Sequence, residues 1–524
     1  MRGWRLAAAS AGLFAVLCRA PAVRADPIAA ASDADEWSPD VEARRTPHHL
    51  RSLLELGGGL TLGTAGYWAF MKRNIADWDN PRPWQRLDGD AWVLDNNSLG
   101  VNFFGHPVTG SLSYSFARGN HQSVAGAFGY SFLTSSLWEF VIEFKEKVSV
   151  NDVLVTPGAG LPIGEFFYKL GLYLDSGHQD SAAVELARWV LGTGVTLDRR
   201  LDGRAPPRVT APDNLGFSPE IWHEFKARYG VLEVQTPREP RYALFHGSLA
   251  ARLVTLRGYG KPRAFGRAFW GAELSRLSAG GEASRYGVGL AVTADTVLLG
   301  YHAQNLARAE SVIVGEAVTV GSSIGYDYFQ SSANRYASVD QAIAEPAPPI
   351  GYHYPTRLEQ YAALQLPGVA ADFRLLRRWG SVEVSGRLQP SFAGLGAAAF
   401  YDWAAANLDQ RSKHILHRQG YFYAWGGAAN LAASLAFGPL CAGFDVMYGR
   451  YRAQDGLDRH QEQLTVDVPA SGDVLRYAGS LGIAPGARVS VGFELGVRRF
   501  RSNVGGFART ARAVQRGFSA TWAF

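Results

Sequence analysis

The stretch "RVSVGFELGVRR", residues 488–499, constrains this chain most. Val489, Val491, Phe493, Leu495 and Val497 alternate with Ser490, Gly492, Glu494, Gly496 and Arg498. Ten residues of period two place every apolar side chain on one face and every small or charged one on the other. A strand that long is suited to crossing a bilayer at a tilt, with lipid on one side and a polar interior on the other. Less regular segments of the same kind occur near 243–257, 264–278, 285–301, 310–329, 356–376, 380–395, 419–436, 438–452, 473–484 and 510–524. These make eleven strands, with room for one or two more between 207 and 240. Long polar connections such as 331–355 and 452–473 alternate with short ones such as "APGA". Long outer loops and short periplasmic turns give that pattern.

The chain ends "QRGFSATWAF", with Phe518, Ala520, Trp522 and Phe524 on one strand face. A terminal Phe after alternating aromatics resembles the sorting signal of bacterial outer-membrane barrels. It implies barrel-assembly machinery as a partner, through Phe524, and outer-membrane lipids as surroundings. The expected fold is mainly β: a transmembrane antiparallel β-barrel of about 12 strands over residues 207–524. Low charge supports this class, since 19% of residues are Asp, Glu, Lys or Arg, while Gly occurs 59 times.

The N-terminus reads as an export signal. Arg2 and Arg5 precede an apolar run from Leu6 to Cys18, and Val23-Arg24-Ala25 offers small residues before Asp26. Residues 1–25 hold four Arg and no acid, so the formal charge of the remainder falls from +5 to +1. The basic balance is therefore no argument for nucleic acid. Cys441 is the one cysteine after residue 25, so neither an intrachain disulfide nor a cysteine-based metal site is expected there. Residues 26–50 are rich in Asp, Ala and Pro and read as disordered.

Residues 51–205 read as a helical domain. The glycines at 57–59 suggest close packing, since no Lys-Ser/Thr follows them as a phosphate loop requires. Pro107 fits the first turn of a helix over about 107–118, and a second helix is expected from Gln122 to Lys147. Ser149 with Asp152 resembles a capping box for the next helix, in which Pro157 and Pro162 are expected to be interruptions. "SAAVELARWVL" is a last helix ending near Gly192.

The chemistry-bearing candidates lie in this domain: His106, Arg118, Glu139, Glu143, Glu146, Asp152 and Glu165. Glu139, Glu143 and Glu146 recur at helical steps of four and three, a stripe of like charges on an apolar helix. A buried acid needs a cation or a donor, and His106, Arg118 or a divalent metal would serve. No E-x-x-H pair supports the metal, and no cofactor is expected. No G-x-S-x-G, H-E-x-x-H, Walker, Rossmann or EF-hand pattern is present, so no catalytic residue is assigned.

The spacing Asp95-Asn96-Asn97, Asn102, His106-Pro107, Gly110, Tyr114, Ala117-Arg118, Trp138-Glu139, Glu143, Glu146, Ser149, Asn151-Asp152, Thr156 and Gly164-Glu165 resembles an uncharacterised family of Gram-negative outer-membrane proteins. That family joins a helical domain of unknown function to a C-terminal barrel. The resemblance implies an outer-membrane location and no established reaction. The leading expectation is that the helical domain plugs the lumen or caps its periplasmic mouth, in gated passage or binding of a small or amphiphilic solute. The alternatives are an outer-membrane enzyme acting on lipid or envelope polymer through a His/Glu/Asp site, and a structural envelope protein.

Overall fold

The computed structural model describes residues 38–71, 79–177, 181–331, 359–457 and 466–524, apart from 206, 208, 210, 238, 239, 408, 411, 413 and 487. The expected signal, residues 1–25, and the first part of the 26–50 stretch lie outside them. From residue 38 that stretch is not disordered. It forms α1 (Pro39–Ala43) and opens α2 (His49–Gly66). Glu42 is buried and pairs with Arg204 at 2.9 Å, which ties the start of the domain to its end.

The helical domain continues with α3 (Pro83–Asp88), a two-residue strand β1 (Trp92–Val93), α4 (His106–Gly119) and α5 (Val124–Leu137). After these come β2 (Val148–Ser149), paired in parallel with β1, and α6 (Val150–Asp175). Single π-turns extend α2 over Tyr67–Met71, lead into α4 over Val101–Gly105 and extend α5 over Trp138–Ile142. The α5 helix therefore stops ten residues short of Lys147. Two short helices close the domain, α7 (Ala182–Leu191) and α8 (Thr193–Leu201). The sequence reading lacked α8.

The α6 helix is continuous through Pro157 and Pro162, against expectation. Each proline removes an amide donor, but residues 155–166 are all buried between α4 and the barrel. Tertiary packing outweighs the local penalty there. Ser149 Oγ caps the helix by accepting the Asp152 N–H at 3.4 Å, as the capping box predicts. Glycines let α4 and α6 touch backbone to backbone. A Cβ on Gly110 would sit 1.8 Å from Thr156 O, and one on Gly160 would sit 2.5 Å from Gly110 C. Gly57, Gly58 and Gly59 are different: a Cβ there would meet nothing within 4 Å. They thin α2 and do not let it pack closely.

The barrel strands are β3 (Trp222–Gln235), β4 (Tyr242–Val254), β5 (Ala264–Phe269), β6 (Leu274–Ser284), β7 (Gly287–Ala309), β8 (Val312–Gln330), β9 (Gln360–Arg377), β10 (Gly380–Gly396), β11 (Tyr421–Phe437), β12 (Leu440–Ala453), β13 (Ala470–Gly486), β14 (Val489–Val504) and β15 (Phe507–Ala523). All pair antiparallel, and β15 pairs with β3 to close the ring. Both β5 and β6 lie on the same edge of β7, opposite Gly300–Asn305 and Gly287–Val297. They form one strand interrupted at 270–273, so the ring has twelve positions. The connections 331–359, 397–420 and 454–469 share one end, and 310–311, 378–379, 438–439 and 487–488 share the other.

The alternation read in β14 holds. Val491, Phe493 and Leu495 are exposed outside, whereas Glu494 and Arg498 are buried inside. The lumen holds a cavity of about 740 Å³ crossed by ion pairs: Arg387 with Asp295 at 3.1 Å and Asp372 at 3.2 Å, Arg276 with Asp372 at 2.6 Å, and Arg498 with Glu282 at 3.0 Å. At the long-loop end, α9 (Phe400–Ala406), followed by α10 (His414–Gln419), fills the mouth. Phe400 and Trp403 pack there against the inward-facing Phe329, Tyr361, Phe422 and Phe500. At the short-turn end, Tyr259 folds inward against Trp222 and His302, at ring separations of 5.2 and 4.7 Å.

The helical domain is neither plug nor cap. It lies on the outside wall of the barrel. Leu94, Leu99, Phe103, Val155, Ala159 and Leu161 share one apolar cluster with Ala294, Ile324, Tyr326, Tyr328, Ala362, Leu364, Phe392, Tyr421 and Tyr423. Those barrel positions alternate with lumen residues such as Asp295, Asp327, Ala363 and Phe422, so they face outward. The 26 residues of α6 span about 39 Å at 1.5 Å per residue. The helix runs from Gly158 against Leu364, toward the long-loop end, to Tyr173, whose ring meets Phe225 at 5.7 Å near the short-turn end. Near that end Lys169 donates to Ser275 Oγ at 2.8 Å and to the carbonyl of Ala272, in the break between β5 and β6.

The wall beneath the domain also differs in chemistry from the uncovered outer wall. Outward Tyr421 and Tyr423 donate to Asn97 O at 2.9 Å and Asp95 Oδ1 at 2.8 Å, and Tyr326 donates to Phe103 O. Hydroxyls that would lack partners in lipid are satisfied by the helical domain. Among the described residues no helix is long and apolar enough to cross a membrane by itself.

Candidate functional site

The seven candidate residues separate into two groups. Arg118 and Glu165 belong to a buried clasp between α4 and α6. Arg118 Nε donates to Glu165 Oε2 at 2.8 Å, Nη2 donates to Oε1 at 3.3 Å, and Nη1 donates to Gln122 O at 2.6 Å. Tyr114 Oη donates to Glu165 Oε2 at 2.7 Å, and the guanidinium lies 4.3 Å from the Tyr168 ring. Arg118 is thus committed to Glu165 and does not face the glutamate stripe.

The other five, His106, Glu139, Glu143, Glu146 and Asp152, line a cavity of about 560 Å³ inside the helical domain. Its walls come from α2, α4, α5 and the first turns of α6. Leu56, Leu60, Leu112, Phe116 and Trp138 give it apolar lining, and Glu55 and Asp95 join the four acidic candidates in its lining. Gly59 and Gly63 of α2 also line it, so the thinned helix makes room for the space.

The expected single stripe is not one helix face. Glu139 lies in the π-turn after α5, Glu143 ends that turn, and Glu146 follows in the loop. They converge because the chain folds back through Ser149. Glu139 is 1% exposed and accepts the Ser149 N–H at 2.9 Å. Glu143 accepts the Trp138 indole N–H at 2.9 Å, and Glu146 accepts from Tyr67 Oη at 2.5 Å. His106 Nε2 stands 3.5 Å from Asp152 Oδ1.

Burial pushes the carboxyl of Glu139 well above the usual range, and Asp152 and Glu143 push it the same way. Asp152 is raised by burial and then by Asp95. Glu143 is pushed up to about 8 by burial and the neighbouring Glu146. Burial also lowers the His106 ring below its ordinary value, against the pull of Asp95 and Glu143. Burial in the site therefore favours the neutral forms of Glu139, Glu143, Asp152 and His106. The buried cation beside these acids is Arg86 of α3. It donates to backbone carbonyls of Glu139, Phe144 and Glu146, and to no carboxylate.

Sequence reasoning did not single out Arg86, because one Arg in a short loop helix carries no pattern. Asp95 and Thr156 were visible only within the family-like spacing. Asp95 accepts from Asn97, Asn102, Asn151 and Tyr423, and so anchors the cavity to the barrel wall. Thr156 lines the cavity, and its buried Oγ1 has no hydrogen-bond partner.

Among the described residues, one group of four brings metal-ligating atoms within 4.8 Å of each other: His48, His121, Asp198 and Asp202. None of the seven candidates is in it. Its carboxylates already hold Arg51 and Arg204, with Asp202 2.7 Å from the first and Asp198 2.6 Å from the second. Its chemistry is that of an ion-pair network joining α2 to α8.

Residues 91–193 match the family model DUF3943, a domain of unknown function. The match runs from the residue before β1 to the first residue of α8, and so includes all seven candidates. No curated protein matches the chain. Among solved structures, the COG4313 outer membrane channel from Pseudomonas putida F1 aligns at TM-score 0.24 and 10% identity, over 60% of this chain and 100% of that one. The beta domain of the Bordetella autotransporter Brka aligns at TM-score 0.24 and 11% identity, over 58% and 98%. The translocator domain of the autotransporter NalP from Neisseria meningitidis aligns at TM-score 0.19 and 8% identity, over 58% and 88%. The chain is a closed twelve-position antiparallel β-barrel with an N-terminal helical domain.

Proposed function

We propose that the barrel is a scaffold and that the working part is the cavity on its flank, which binds an amphiphile carrying a cationic group. One observation carries this reading: a single cavity lined both by apolar side chains of α2 and α4 and by a cluster of acids. The apolar lining fits a hydrocarbon tail. The acids fit a cation, because among the described residues Glu139 and Glu143 accept from neutral donors and a desolvated carboxylate gains most from a charged partner. Passage through the lumen has less support, since the chain's own loops fill both mouths. Export by residues 1–25 and assembly through Phe524 belong to the same proposal. The Phe524 N–H joins the ring at Phe225 O, 3.0 Å away.

A photoreactive hexadecylamine tests the reading on the purified, lipid-reconstituted protein. Label is expected in peptides from 49–66 and 106–116, and unlabelled hexadecylamine should displace it. Combined Glu139→Gln and Glu143→Gln replacement should remove most of it. Label spread evenly over the outer barrel wall and indifferent to both replacements would sink the proposal. A second reading, lipid-directed catalysis, rests on the His106–Asp152 approach. Turnover of envelope lipid that His106→Gln abolishes would favour it.

A further inference from the structure

We infer that the helical domain is itself immersed in the bilayer beside the barrel, with lipid acyl chains covering its outer face. This does not depend on what the cavity binds. The position on the wall comes first. The domain covers outward-facing residues of β7–β11, and the outward band beyond it is Val369 and Phe373 of β9, Leu388 of β10 and Leu431 and Leu435 of β11, all exposed. The domain's own outer face continues that band. Leu62 of α2 is 78% exposed, Val108 of α4 39%, and Phe132 and Leu133 of α5 42% and 44%.

Charge distribution points the same way. Residues 56–66 of α2, 107–117 of α4 and all of α5 contain no Asp, Glu, Lys or Arg. A helix facing water carries a polar stripe, and these carry only Ser, Thr and Tyr. The charges gather at the two ends of the bundle. His48, Arg51, Asp198, Asp202 and Arg204 form one network, and Arg86, Glu143, Glu146 and Lys147 surround the cavity at the other end. Between them the uncharged α5 runs 14 residues, about 21 Å, before Glu139 in the π-turn. That length approaches the apolar band of an outer-membrane barrel, roughly 25 Å tall. No helix has to cross alone, because the barrel already spans and the bundle packs along it. The close α4–α6 contact through Gly110 and Gly160 is the small-residue packing that helices use in lipid, where apolar burial gives little drive.

Spin-label accessibility tests this on the full chain in phospholipid vesicles. Cysteine is placed at Leu62, Val108 or Leu133 in a Cys441→Ser background, with Phe493→Cys as the lipid reference and Asp455→Cys as the water reference. The three sites are expected to match Phe493→Cys, with an oxygen-to-nickel accessibility ratio several-fold above that of Asp455→Cys. Ratios equal to Asp455→Cys would place the face in water and overturn the inference. Low access to both reagents with spin–spin broadening would show a second copy on this face, and would overturn it as well. Photolabelling of the cavity can succeed under either outcome, so the two proposals fail separately.

Discussion

Replacing Arg118 by alanine is expected to unfasten the helical domain while the barrel stays folded. Glu165 is 0% exposed, and its two oxygens take Arg118 Nε, Arg118 Nη2 and Tyr114 Oη. Removing the guanidinium leaves the buried carboxylate with the Tyr114 hydroxyl and the more distant Lys169 Nζ at 3.9 Å, a loss of about 3 kcal/mol. The same change removes the donor to Gln122 O, which fastens the turn between α4 and α5. The domain should become protease-sensitive between residues 50 and 205. The barrel, stabilised by its own closed ladder, should keep its heat-modifiable mobility on gels. Replacing both Arg118 and Glu165 by leucine should recover only part of the loss, because the buried Lys169, 3.9 Å from Glu165, then keeps its charge without that carboxylate. An alanine variant as protease-resistant as the parent would mean that the clasp does not hold α4 to α6.

The second large effect concerns the lumen. The intact protein should conduct poorly in planar bilayers, since α9 fills one mouth and Tyr259 the other. Truncating 398–418 together with Tyr259→Gly should raise the conductance roughly tenfold or more, as a filled twelve-strand lumen becomes water-filled. The Arg387–Asp372–Arg276 pairs would remain as a charged constriction. Open-pore conductance in the intact protein, or no increase in the variant, would contradict the scaffold reading.

The barrel was legible because period two is a local signal. Glu494 and Arg498 alternate with Val491, Phe493 and Leu495 whatever surrounds them, and each strand of this kind announces itself. The site was legible in membership: five of seven candidates meet in one cavity. Its partners were not legible. Arg118 binds Glu165, 47 residues away, and the cation near the stripe is Arg86, more than fifty residues before it. No periodicity links such pairs; the packing of α4 on α6 and of α3 on the turn after α5 does. Pro157 and Pro162 misled for the same reason, since burial on both sides overrides a local penalty. The position of the domain had a trace in the strands. Tyr326, Tyr328, Tyr421 and Tyr423 put hydroxyls where a lipid-facing wall would carry Leu or Val. That trace becomes readable once the register shows which face is outside.

The central claim, that the helical domain sits outside the barrel, is tested most directly by photocrosslinking from two adjacent residues of β8. Tyr328 faces outward with its ring 5.5 Å from Phe104, and Phe329 faces inward with its ring 5.7 Å from Phe500. Benzoylphenylalanine at 328 should crosslink to peptides covering 99–104. At 329 it should crosslink to β14 and never to the helical domain. Capture of the helical domain from position 329, with none from 328, would put the helices in the lumen and contradict the account.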